Sequence, residues 1–244
     1  MVEQKEIKFE VGDVMVKQRI LVVDDEEGIR QILDILLRGE GYEVVLASSG
    51  EEALEKFNAE TSLVILDVGL PGMSGFVTCS KIREQSYVPV LFLTAYGQDS
   101  DKTMGFSAGG DDYLTKPFSN GEILLRVKGL IRRAYHYQQS NVSSSQTIIK
   151  IDDLELDLDQ QSVKVAGEVI ALTSTEFEIL KLLATNRKKI FSIKHIYQQI
   201  WKDDAVIGDN AVMVHVRNLR KKLERDSKSP SYIKTAWGKG YYVD

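Results

Sequence analysis

The sequence predicts two folded units in series: a doubly wound α/β domain built on a five-stranded parallel sheet, then a winged helix-turn-helix domain of the α+β class. Three observations carry this. Aliphatic runs alternate five times with amphipathic stretches in the first half, a polar Ser/Gln-rich segment interrupts the pattern, and short alternating strands then precede three helices and a terminal hairpin.

Each early strand is aliphatic and β-branched over several positions, as a strand covered on both faces should be. Such runs lie at Arg19–Val23, Glu43–Ala47, Leu63–Asp67, Pro89–Thr94 and Asp112–Thr115. Amphipathic helices are predicted at Glu27–Arg38, Gly50–Asn58, Ser74–Glu84, Asp99–Ser107 and Asn120–Tyr137. This alternation assigns residues 18–135 to the first domain. Residues 136–147, HYQQSNVSSSQT, lack apolar periodicity and read as a flexible linker. In the second domain, 148–244, Ile148–Leu158 and Ser162–Val169 alternate like antiparallel strands. Helices follow at Ser174–Thr185, Ile193–Ile200 and Asp209–Glu224, and YIKTAWGKGYYVD reads as a hairpin turning around Gly238-Lys239-Gly240.

Four runs of the first half end in reactive residues: LVVDDE at Leu21–Glu26, VILD at Val64–Asp67, VLFLTA at Val90–Ala95 and YLTKP at Tyr113–Pro117. Open parallel sheets hold ligands at the carboxyl ends of their strands, so Asp24, Asp25, Asp67, Thr94 and Lys116 share one edge. Converging carboxylates repel one another unless a cation holds them, and an oxygen-only donor set suits Mg2+. Lys116 offers a point charge to a phosphoryl oxygen, and Thr94 a hydroxyl. The chemical reading is a metal-assisted phosphoryl site. For a single acid the alternative is helix capping, open to Asp25 or Glu26 ahead of Gly28–Arg38.

With 244 residues, 43% of them hydrophobic, the chain supports two ordinary cores. No apolar run reaches the ~20 residues of a membrane span, and Met1–Lys17 lacks the pattern of a secretory signal. Met15, just before the first strand, is an alternative start to Met1. The single cysteine, Cys79, excludes an intrachain disulfide and falls in a predicted helix, where packing is its expected role. A cytoplasmic setting without membrane contact follows as the expectation. The net charge of −5 hides an asymmetry: from Ile148 onward 16 Lys+Arg face 14 Asp+Glu, against 15 and 22 before it. Lys181–Arg225 alone holds 11 basic and 4 acidic residues, a surplus suited to a polyanion.

Projected at 100° per residue, the last helix places Val212, Val216, Leu219 and Leu223 on one side. Asn210, Val214, Arg217 and Lys221 fall opposite, with Asn218 beside them and His215 and Arg220 on the flanks. Such a helix suits the major groove, Arg217 and Asn218 reaching base edges while Arg220, Lys221 and Lys222 neutralise phosphates. A solvated charged face is the alternative, and the three-helix context with a following wing argues against it.

In combination, VVDDE, LDVGLPGMSG, LTA and GGDDYLTKPF in the first half, with LTSTEFEIL, VMVHVRNLRKKLE and YIKTAWGKGYY in the second, resemble the OmpR/PhoB family of two-component response regulators from Arg19 to Val243. The resemblance implies a flavodoxin-like receiver followed by a winged-helix effector. Asp67 would accept a phosphoryl group from a phosphohistidine of a sensor histidine kinase. Asp24, Asp25, Asp67 and the carbonyl of Gly69 would hold Mg2+, and Lys116, before a cis peptide bond to Pro117, would contact the phosphoryl oxygens. Thr94 would move toward the new group, with Tyr113 rotating inward behind it. The surface of the fourth helix, fifth strand and fifth helix would then pair with its copy in a homodimer, Lys102 with Glu122 and Asp112 with Arg126 being candidate ion pairs across it. Two winged helices would reach adjacent half-sites of double-stranded DNA, arranged as direct repeats, with RNA polymerase as a further partner. Such a protein assists its own phosphorylation and dephosphorylation and is not a turnover enzyme.

Three features depart from the family pattern. Gly69 stands where many relatives carry a larger side chain, which implies a more open site and faster loss of the phosphoryl group. Gly109-Gly110 replaces the commoner Gly-Ala, and Trp237 replaces a frequent Arg in the wing. If Trp237 packs on the core rather than reading the minor groove, Lys239 becomes the wing contact. The wing and SPSYIKT also resemble regulators of Gram-positive bacteria, including those of glycopeptide-resistance systems. Two other functions remain in view: a Mg2+-dependent phosphohydrolase with Asp67 as nucleophile, and a DNA-binding regulator controlled without phosphate.

Overall fold

The computed structural model describes residues 18–95, 109–135, 148–201 and 210–244. Its first half contains β1 (Arg19–Val23), α1 (Glu27–Gly39), β2 (Glu43–Ala47), α2 (Gly50–Lys56), β3 (Thr61–Asp67), α3 (Gly75–Arg83), β4 (Val90–Thr94), β5 (Asp112–Thr115) and α4 (Asn120–Tyr135). The strands pair in parallel in the order β2-β1-β3-β4-β5. The helix predicted at Asp99–Ser107 and the linker at 136–147 lie outside the described residues, so α4 is the fifth of the predicted helices.

Alternate residues along a strand serve opposite faces, and two cores result. Ile20, Val22, Ile65, Leu91 and Leu93 pack with Leu33 and Leu37 of α1 and Ile123 and Val127 of α4. Leu21, Val23, Val64, Leu66 and Phe92 point the other way, against Ala53 of α2 and Cys79 and Ile82 of α3. Burial pushes the Cys79 thiol up to about 11, which suits packing and not reactivity. Ser49 and Ser74 cap α2 and α3 by accepting from the Glu52 and Val77 amides. Glu26, the N-cap of α1, makes no side-chain cap bond, so its capping alternative is not realised.

The second half begins with an antiparallel sheet of β6 (Ile148–Ile151), β7 (Leu154–Asp157), β8 (Ser162–Val165) and β9 (Glu168–Ile170). Each of the two alternating segments is thus a hairpin, broken where Asp152 and Ala166 take left-handed backbone conformations. Then come α5 (Ser174–Ala184), α6 (Ile193–Trp201), α7 (Asn210–Leu223) and the hairpin of β10 (Ile233–Ala236) with β11 (Gly240–Val243). A capping box opens α5: Thr173 Oγ1 accepts from the Glu176 amide, and the Glu176 carboxylate accepts from the Thr173 amide. Phe177, Leu180, Ile196, Val212, Val216 and Leu219 bury the three helices against one another.

The two halves touch through α4. Arg133 Nη1 donates to the Ile200 carbonyl at 3.0 Å, and its guanidinium lies 5.8 Å from the centre of the Trp201 ring. Lys222 of α7 sits 4.8 Å over the ring of Tyr87. A cleft of about 290 Å³ remains in the seam, between Thr61, Tyr87 and Pro89 on one side and Gln161, Thr173 and Phe177 on the other. The seam is therefore less completely filled than either core.

Candidate functional site

The strand order reverses between β1 and β3, the place where an α/β sheet opens a crevice at its carboxyl edge. Asp24 follows β1, Asp67 ends β3, Thr94 ends β4 and Lys116 follows β5, so strand pairing alone converges them. Asp24, Asp67 and Thr94 are all buried. Lys116 Nζ lies 2.7 Å from Asp24 Oδ2, 2.8 Å from Asp67 Oδ1 and 3.3 Å from Glu26 Oε1. The Gly69 amide donates to Asp67 Oδ2 at 2.6 Å, and the Glu26 amide to Asp24 Oδ1 at 3.0 Å. The Lys116–Pro117 peptide is cis, as the resemblance implies.

Burial raises the Asp24 pKa, an effect that Lys116 and the Glu26 amide only partly offset. Burial alone would lower that of Lys116, yet the hydrogen bonds to Asp24 and Asp67 outweigh it and hold the ammonium charged, well above its ordinary range. Asp25 stands exposed at the rim, and its carbonyl accepts from Arg30 Nη1 at 2.8 Å. Among the described residues no three His, Cys, Asp or Glu side chains form a ready-made metal group. The donor chemistry nonetheless fits a hard cation, since two buried carboxylates need positive charge and Lys116 provides it here. Tyr113 already lies inward, buried with its ring 5.0 Å from that of Phe92.

Sequence reasoning missed Gly75, although it ends the motif LDVGLPGMSG. A Cβ there would lie 2.1 Å from the Asp67 carbonyl oxygen, so only glycine lets α3 start against the end of β3. At Gly69 a Cβ would come within 3.2 Å of Asp67 Oδ2.

On the expected dimer face, one of the two candidate pairs is formed within the chain. The resemblance pairs Asp112 with Arg126 across subunits, but both carboxylate oxygens of Asp112 accept from Arg126 Nη1 of the same chain at 3.0 Å. Both residues are buried, and Tyr197 of α6 in the second half adds to the electrostatics that keep Arg126 charged. The physical reason is proximity: α4 lies against β5, so these two side chains meet within one fold. Glu122 is half-buried, and Lys102 lies outside the described residues.

The basic helix is also rearranged relative to the projection. Arg217 and Lys221 are exposed, and Asn218 is half-buried. Val214 and His215, expected at the groove, are instead buried at 6% and 1% exposure. Packing on a second side of α7 explains this: His215 lies beside the Trp201 ring, and charged groups of the first half face it. Arg220 turns to the wing, bonding the Ile233 carbonyl and Thr235 Oγ1 at 2.7 and 2.8 Å, and Lys222 pairs with Glu176 at 2.6 Å. Neither cation is free for phosphate in this arrangement. Met213, which the projection passed over, is exposed one turn before Arg217. The Asn210 side chain lies outside the described residues. Lys239 is exposed at the wing, and Trp237 does not pack on the core.

Comparison with known proteins agrees with both halves. Residues 20–128 match the model for a response regulator receiver domain, and 167–243 match that for the C-terminal part of transcriptional regulatory proteins. The chain is 45% identical over 224 residues to the uncharacterized transcriptional regulatory protein YrkP of Bacillus subtilis, covering 91% of this chain and 96% of that one. It is 41% identical over 228 residues to the probable transcriptional regulator ycf27 of Cyanophora paradoxa, covering 92% and 95%. Among solved structures, a point mutant of RitR superposes with a TM-score of 0.72 at 25% identity, covering 93% of this chain and 99% of that one. The response regulator DrrB of Thermotoga maritima, described as an OmpR/PhoB homolog, is 33% identical with the same coverage and a TM-score of 0.49.

Proposed function

We propose, since this chain belongs to the OmpR/PhoB-type response regulators, in which a receiver is joined to a C-terminal DNA-binding domain, that Asp67 stores a phosphoryl group received from a sensor histidine kinase in the cytoplasm. The observation that carries the proposal is the Lys116 ammonium held between the buried carboxylates of Asp24 and Asp67 at the strand ends. Few groups other than a transferred phosphoryl require this combination of nucleophile, acid partner and cation.

Asp67 is oriented before transfer by the Gly69 amide and Lys116, so little rearrangement of the nucleophile is needed. Asp24, Asp25, Asp67 and the Gly69 carbonyl would hold Mg2+, which supplies charge neutralisation at the phosphoryl oxygens. Phosphorylation adds ≈ −1.5 to −2 charges at Asp67. Lys116 then exchanges a carboxylate for phosphoryl oxygen, and the Thr94 hydroxyl turns toward the same group. A homodimer built on α4 and β5 requires α6 to withdraw from Arg126, which links the modification to release of the winged helix onto direct-repeat half-sites. RNA polymerase is the further partner of the bound dimer. The chain is modified once per cycle and has no other substrate.

The test is to treat wild type and Asp67→Ala with phosphoramidate and Mg2+ and follow intact mass and DNA occupancy across a genome. One phosphoryl group on wild type, none on the variant, and greater occupancy by wild type are expected. Occupancy identical in both proteins would mean control without phosphate, and repeated hydrolysis of a small phosphate ester would mean an enzyme. For Gly69→Met, the side chain crowds Asp67 Oδ2 and should exclude water, lengthening the phosphoryl half-life; an unchanged half-life refutes that role for Gly69.

A further inference from the structure

We propose that the cleft between the two halves is a binding site for a small aromatic carboxylate, which clamps the halves together and opposes release of the winged helix. The site rests on the cleft alone, and the clamping rests on the reading that phosphorylation parts the seam. The cleft is remote from the phosphoryl pocket. Thr61 opens β3 and Pro89 precedes β4, whereas Asp67 and Thr94 end the same strands, about 20 Å away at the usual rise per strand residue. The cleft measures about 290 Å³, close to the lower bound for small-molecule sites. Ala59 and Ala134 leave this room, because neither side chain is large enough to fill it.

Two polar groups at its wall are idle. Gln161 and Ser174 both line the cleft, and Gln161 Nε2 and Ser174 Oγ are shielded from water with no hydrogen-bond partner among the described residues. Local structure delivers both. Asp157 Oδ1 fixes the turn after β7 by accepting from the Asp159 and Gln160 amides at 3.0 and 2.8 Å. Gln161 then takes a φ of 50°, a left-handed conformation more usual for Gly or Asn. Ser174 is the first residue of α5, where the capping box occupies Thr173 and Glu176 and leaves the Ser174 hydroxyl out. A buried donor without an acceptor is costly, so a ligand oxygen that engages either group recovers a loss already present in the fold. Rotation about a terminal side-chain bond brings either polar group to the cleft surface.

Walls and charge together define the ligand class. Tyr87 and Pro89 of the first half and Leu172 and Phe177 of the second offer apolar surfaces that suit a ring. Gln161 Nε2 is a donor only, and the opening turn of α5, which includes Ser174, carries the positive end of the helix dipole. Both favour a carboxylate. Lys222 adds no net charge there: although it sits 4.8 Å over the Tyr87 ring, Glu176 pairs with it at 2.6 Å. A ligand held by both halves binds only while they are joined, so it stabilises that arrangement by mass action. Reciprocally, whatever parts the seam must weaken the ligand by the same factor.

The test titrates the full, isotope-labelled chain with benzoate, benzyl alcohol and acetate at constant ionic strength, followed by NMR. Benzoate should shift the signals of Ser174 and the Gln161 side-chain amide with a Kd on the order of 1 mM, in keeping with so small a ligand. Benzyl alcohol keeps the ring and loses the carboxylate, so it should bind about tenfold more weakly, and acetate should not bind. Ser174→Ala and Gln161→Gly should each weaken benzoate by about fivefold to tenfold. Gln161→Gly also relieves the left-handed backbone, so misfolding does not account for its loss. Ala134→Leu, which grows into the cleft, should abolish binding while small-angle scattering shows the halves still joined. After treatment with phosphoramidate and Mg2+, the benzoate Kd should rise. Benzoate at about ten times its Kd should shift the balance of joined and parted halves roughly elevenfold toward joined, as read by scattering. No saturable binding to the untreated chain, equal affinity for benzyl alcohol, or binding indifferent to all three substitutions, an adventitious additive only, overturns the site. Binding that the substitutions weaken but that phosphorylation of Asp67 leaves unchanged overturns the clamp and the parting of the seam, and not the site.

Discussion

Arg126→Ala should destabilise the first domain by about 3–5 kcal/mol, the range for removing one partner of a buried ion pair. The pair is almost wholly enclosed: Asp112 is 4% and Arg126 7% exposed. Burial by itself would lower the Arg126 pKa, but Asp112 and then Tyr197 more than compensate and keep the guanidinium charged. Without it, Asp112 keeps the Tyr113 amide at 2.8 Å and loses its countercharge. Denaturant titration measures the loss, and Arg126→Ala combined with Asp112→Ala should recover most of it, because the orphaned charge is then gone. A single-variant loss below about 1 kcal/mol, the level of an exposed pair, would show that water reaches Asp112. Because Arg126 also interacts electrostatically with Tyr197 of the second half, the variant should loosen the seam as well, and small-angle scattering should show the unphosphorylated chain expanded.

Acid should destabilise the protein through His215. Burial pushes this imidazole down to about 4 from its ordinary 6.5, with Asp111 opposing and Arg133, Lys222 and Arg83 reinforcing the shift. The unfolded chain therefore binds a proton in a range where the folded one does not. The contribution of His215 is complete above pH 6.5 and falls as pH drops from 6.5 toward 4, by roughly 3 kcal/mol over that window. Since Asp111, Arg133 and Arg83 belong to the first half, parting of the seam rehydrates His215 and is the first step of the loss. Unfolding midpoints between pH 7.5 and 5 should fall in wild type and change less in His215→Phe. Parallel curves for the two proteins would mean that other groups carry the acid sensitivity.

The phosphoryl pocket was legible because each of its residues sits at the end of an apolar run, and parallel pairing has only one way to gather such ends. Asp24, Asp67 and Lys116 meet as expected from strand order, Thr94 lies beside them with its carbonyl accepting from the Lys116 amide, and Asp25 remains at the rim. The role of Gly75 was invisible, since the need for a missing Cβ arises only when α3 closes on the Asp67 carbonyl. On α7, helical periodicity separated Leu219 from Arg217 correctly. It placed Val214 and His215 wrongly because periodicity reports one buried face, and α7 has neighbours on two.

Local patterning, then, determined which segments become strands and helices, which strand ends carry chemistry and that a basic helix precedes a hairpin; these follow from side-chain spacing along the chain. Tertiary structure decided which charges are spent inside the molecule. Arg126, Arg220 and Lys222 look alike in sequence to Arg217 and Lys221, yet the first three are engaged by Asp112, the wing and Glu176, and the last two face solvent. That difference depends on contacts between residues 13 to 46 positions apart, a distance over which spacing rules carry no information.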